Sequence, residues 1–116
     1  MMTENLHRLE LSGEDADLLV QNVVNEVLNG FRIDDFEACV AVSRDEFRSW
    51  ALGWREQSKG ELAIDDRQAI ALRRALALTL QELGSEFQTR TGVDSDEAYK
   101  TLAKLDQFVA AAQGGR

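Results

Sequence analysis

A chain of 116 residues, 44% of them hydrophobic, is close to the commonest single-domain size and can bury a core without staples. One cysteine, Cys39, and one histidine, His7, exclude an internal disulfide and a Cys/His zinc cage. The net charge of −8 is uneven: six Lys/Arg stand against twelve Asp/Glu in residues 1–60, and seven against nine in residues 61–116. A field of that sign disfavours nucleic acid and anionic membranes and favours a basic protein surface.

Proline is absent, so turns fall to Gly, Asn, Asp and Ser. The start, MMTENLHRLELSGED, lacks the basic-then-apolar order of a secretory signal, and no apolar run approaches the roughly 18 residues of a membrane span. These features predict a cytoplasmic protein. Leu6 to Leu11 alternates enough to read as a short extended segment without a strand partner. Ser12 then reads as an N-cap, with Glu14 and Asp15 in the first turn of a helix over 13–29. Its apolar stripe is Ala16, Leu19, Val20, Val23, Val24, Val27 and Leu28, and Asn29-Gly30 ends it.

Asp34 or Asp35 can cap a short helix that runs through Ala41. Ser43 with Glu46 has capping-box spacing for a third helix from about 44, with Phe47, Trp50 and Trp54 on one face. Residues 56–61 read as a polar linker. Asp65 caps a helix over 66–83, closed by Gly84. Ser85 to Gly92 is a short helix, and Asp94 with Glu97 starts a last one over 95–112. The tail 113–116 is expected to fray.

The predicted fold is therefore a single all-α domain over 1–116 with about six helices, two of them short, and a possible short strand in front. The order long, short, medium repeats. FEACVAVSRDEFRSW sits over FQTRTGVDSDEAYKT without a gap, matching Phe36 with Phe87, Val42 with Val93, Asp45 with Asp96 and Glu46 with Glu97. This reads as two tandem three-helix units, 12–57 and 64–112. The alternative is that both segments solve one local problem: stop a helix, turn, cap and restart.

Ala41, Val42, Ser43, Phe47 and Trp50, and again Gly92, Val93, Asp94 and Ala98, resemble the turn and second helix of helix-turn-helix DNA-binding domains. The resemblance covers under twenty residues each time. It implies a transcriptional regulator with Arg44 and Arg48 on the reading helix. The sequence departs from the pattern at Glu37 and Gln88, where a small residue is expected, and at Thr101, where an apolar one is. Asp45 and Glu46 also sit between the two arginines, and a basic stripe is missing.

Catalytic signals are weaker still. His7 reads as a surface residue, and Cys39 as a small buried apolar one. The acid pairs Asp34-Asp35 and Asp65-Asp66 fall at helix starts, where acids cap. DSDEAYKTLAKLD opens like a calcium loop but lacks its later donors and its turn glycine. No enzyme activity, cofactor or metal is expected.

The surface signals point to protein binding. The segment GFRIDDFE gathers Asp34, Asp35 and Glu37 beside Phe31 and Ile33. The second unit lacks this insertion: Gly84 is three residues from Phe87, whereas Gly30 is six from Phe36. Phe47, Trp50 and Trp54 read first as one stripe that fills the core, and of the two tryptophans Trp54, near the helix end, is the one more open to partial exposure and partner contact. The leading expectation is a small acidic inhibitor, immunity- or antitoxin-like protein or adaptor that binds a basic protein through Phe31, Ile33, Asp34, Asp35, Glu37 and Trp54. A helix-turn-helix regulator is the alternative.

Overall fold

The computed structural model describes residues 8–57 and 61–114, with side chains as far as 111. In chain order the elements are β1 (Arg8–Ser12), α1 (residues 13–30), α2 (Phe36–Val40), α3 (Arg44–Gln57), β2 (Glu61–Asp65), α4 (Asp66–Leu83), α5 (Phe87–Thr91, entered by a 3-10 turn over Gly84–Glu86) and α6 (Ser95–Gly114). The fold is predominantly helical and fits a small all-α domain coarsely, with a short strand in front; the expectation that this strand has no partner needs correcting, because β1 pairs antiparallel with β2. The partner strand was hidden in Glu61–Asp65. Only Leu62 and Ile64 turn inward there, and in sequence Glu61 reads as the end of the polar linker and Asp65 as the helix cap, with too few residues between them to show a strand.

Pairing runs from Arg8 opposite Asp65, through Glu10 opposite Ala63, to Ser12 opposite Glu61. The two strands are 53 residues apart in sequence, so this register maps onto itself when they are exchanged. Each strand leads directly into a long helix, then a short one, then a third. Leu11, Leu62 and Ile64 are buried beneath the sheet, against α1, α3 and α4. Below them the core runs through Leu18, Leu19, Val23, Phe47, Trp54, Leu72, Leu76, Phe87 and Leu105. Phe47 meets Trp54 edge-on at 5.8 Å and Phe36 at 5.7 Å between ring centroids.

The two long helices differ. Asp65 accepts from the Gln68 N–H, and the Gln68 side chain accepts from the Asp65 N–H, a complete capping box at the start of α4. Ser12 has the backbone of an N-cap but makes no side-chain cap bond to α1. Much of α1 is wound with i→i+5 hydrogen bonds, over Leu18–Val23 and Glu26–Gly30. The Phe31 N–H reaches the Glu26 carbonyl at 3.3 Å to close the last wide turn. That turn brings Gly30 against the Glu26 side chain, where any Cβ would overlap the carboxylate.

The two corners share their geometry. Ala41 (φ 73°) and Gly92 (φ 77°) end α2 and α5 in the left-handed conformation. The Ser43 hydroxyl accepts from the Glu46 N–H at 3.2 Å, and the Asp94 carboxylate from the Asp96 N–H at 2.9 Å. The last helix runs to Gly114, two residues past its expected end.

Candidate functional site

The segment between α1 and α2 leaves Gly30 extended and hangs its apolar side chains inward. Phe31 and Ile33 are half-buried and pack against the core, while Arg32, Asp34, Asp35 and Glu37 are exposed. The exposed acids thus stand beside the half-buried Phe31 and Ile33, and Asp34, Asp35 and Glu37 play three distinct electrostatic roles. Asp34 faces its neighbour Arg32 at 2.9 Å, with both side chains over 80% exposed, so the pair contributes little. Asp35 caps α2 by accepting from the Ala38 N–H at 3.2 Å. Glu37 lies within the field of Arg67, whose guanidinium it helps hold in its charged form.

Trp54 does not belong to this edge. It is 2% exposed and fills the core, while Trp50 is the half-buried member of the pair. The expected order is reversed: the Trp54 ring lies in the core against Phe47, and Trp50 packs on its outer side. Cys39 is likewise exposed, not buried. α2 is a single turn whose inward positions are taken by Phe36 and Val40.

The two arginines of the helix-turn-helix reading part company. Arg44 is half-buried, donates to the Leu28 carbonyl at 2.8 Å and lies 4.7 Å over the Phe36 ring. It closes the end of α1 and is not displayed for base contact. Arg48 is exposed and stands 3.7 Å from Asp45. His7 lies outside the described residues. Among the described residues, no group of three or more His, Cys, Asp or Glu is placed to hold a metal ion, and no helix is long and apolar enough to cross a membrane.

Two polar constellations escaped sequence reasoning because their partners are distant in the chain. Arg67 of α4 forks onto both Glu46 oxygens at 2.5 and 2.9 Å and lies 5.3 Å over the Trp50 ring. The hydrogen bond from Arg67 holds the Glu46 carboxyl below its ordinary range, and the same bond raises Arg67, aided by the charges of Glu46, Asp65 and Glu37. Glu26, 6% exposed, accepts from Arg90 of α5 at 2.8 Å. The Asn29-Gly30 pair marked a helix end in the sequence; its glycine also makes room for that carboxylate.

Neither family models, nor curated proteins, nor solved structures give a match to this chain.

Proposed function

We propose that this chain is a non-enzymatic protein-binding module, a small acidic inhibitor, immunity-like protein or adaptor. Its partner presents a basic surface to the edge formed by Phe31, Ile33, Asp34 and Glu37. One observation carries the reading. The order strand, long helix, short helix, helix occurs twice, and we read it as a fused pair of related units. The join between long and short helix is the place where they differ most: residues 31–35 in the first, a tight turn over Gly84–Glu86 in the second. A loop added to a repeated scaffold, carrying exposed acids over half-buried apolar side chains, is suited to recognition.

A DNA-reading role has less support, since Arg44 is engaged with Leu28 and Phe36. The test compares the wild type with an Asp34→Lys/Glu37→Lys variant, which spares the Asp35 cap. The variant is expected to lose capture of the partner from native lysate while keeping its urea midpoint. Capture that survives the double reversal overturns the assignment of this edge. Salt-sensitive binding to mixed-sequence duplex DNA that requires Arg48 would replace the proposal with the regulator reading.

A further inference from the structure

A two-stranded sheet leaves an unpaired row of N–H and C=O groups along each outer edge. Among the described residues, β2 is the only strand paired with β1. An open groove of about 470 Å³ runs along β1, lined by Leu9 to Ser12 on one side, by Lys104, Gln107 and Phe108 of α6 on the other, and by Asp15 of α1, which is already paired with Lys104. No β2 residue lines it, so it lies on the side away from the existing pair.

The side chains on this edge can recognise themselves. Arg8 and Glu10 are exposed on the outer face, and Leu9 is half-buried between them on the inner face. Antiparallel neighbours stand opposite one another on the same face. A strand paired with its own copy through Leu9 therefore sets Arg8 opposite the partner's Glu10, twice, and Leu9 against Leu9. Glu10 has no hydrogen bond or ion pair to any described residue, and Arg8 makes only a long contact of 3.4 Å to the Ala63 carbonyl. The β2 edge offers nothing comparable. Its outward residues are Glu61, Ala63 and Asp65, so every self-pairing register places acid against acid or against alanine.

We propose that the β1 edge is a dimerisation surface, on which a second copy of this chain adds its own β1 in the Leu9-centred register to make a four-stranded sheet. This two-fold contact is self-complementary and closed, as most stable homodimers are. It is separate from the 31–37 edge.

Sedimentation equilibrium of the full chain, from micromolar to millimolar concentration at low salt, tests it. The mass is expected to rise from one chain to two. Glu10→Arg and Arg8→Glu should each remain at the mass of one chain, because each sets like charges opposite one another. An equimolar mixture of the two variants should recover the doubled mass, because the two basic side chains on one strand then meet the two acidic side chains on the other. Circular dichroism of each variant confirms that the fold survives. A single-chain mass for the wild type throughout overturns the proposal and leaves the edge to some other protein's strand. So does a dimer indifferent to Glu10→Arg, or a mixture of folded variants that stays monomeric.

Discussion

The sheet's register relates two seams that occupy matching places but use different chemistry. In one, the start of α1 meets α6: the Asp15 carboxylate accepts from the Thr101 hydroxyl at 2.6 Å and from the Lys104 ammonium. In the other, the start of α4 meets α3, and Arg67 forks onto Glu46 and covers Trp50. Trp50 and Thr101 are matching positions under the spacing of the sequence echo, and under that of the strands Asp15 matches Gln68, the capping-box neighbour of Arg67, so the second seam is made by the adjacent residue. The first seam is drier: Thr101 is 1% exposed and the Asp15 side chain 22%, whereas the Arg67 side chain is 60% exposed. The fold requires a helix start to dock on a helix side at both places. It does not dictate whether a hydroxyl, an ion pair or an aromatic ring completes the contact.

Burial decides which seam contributes more. A hydrogen bond to a charged group is worth about 1.5–3 kcal/mol net, and an exposed ion pair about 0–1 kcal/mol. Asp15→Ala is therefore expected to lower stability by about 1.5–3 kcal/mol, and Arg67→Ala by less. Urea midpoints of the two variants check the order. Equal losses, or a larger loss at Arg67, would mean that the ring and the fork hold the fold more firmly than solvent exposure allows.

The corners sharpen the same comparison from the backbone side. Ala41 and Gly92 hold the same left-handed turn, and the Ala41 site is exposed. A Cβ in that conformation costs about 1 kcal/mol. Ala41→Gly should raise stability by up to about 1 kcal/mol, and Gly92→Ala should lower it by a similar amount. Open space surrounds Gly92, so strain and not collision would be the cause. Thermal unfolding of both variants reads this directly. A destabilised Ala41→Gly chain would show that the first corner draws on packing that the second lacks.

What could be read in the sequence follows from range. The α4 boundaries, the Asp65 cap and the glycine stop at Gly84 were legible because each depends on residues within one helical turn. The acidic edge was legible as a segment, since Phe31, Ile33, Asp34, Asp35 and Glu37 are adjacent in the chain. Long-range consequences were not. β2 has five residues and only two inward side chains, and its pairing with a strand about fifty residues earlier leaves no local trace. The wide turns of α1 keep the apolar spacing of an ordinary helix and so escaped notice. The Arg67 and Arg90 contacts join residues 21 and 64 positions apart.

The smallest expected effect tests the second seam by titration. Glu46 accepts two hydrogen bonds from Arg67, and its carboxyl is held below the ordinary value of 4.5. A carboxyl whose affinity for the proton falls on folding adds stability above its unfolded value. That contribution disappears as pH drops through the lower folded value. Glu46→Gln should therefore be slightly less stable than the wild type at neutral pH, and the two urea midpoints should converge as the pH falls below 4.5. Arg67 carries the opposite shift, and its contribution persists throughout this window because it is lost only in strong alkali. In the Arg67→Ala background the same Glu46→Gln change should leave the pH profile unaltered. A pH-dependent difference that persists without Arg67 would assign the Glu46 shift to some other cation and would remove the fork as the origin of the seam's charge chemistry.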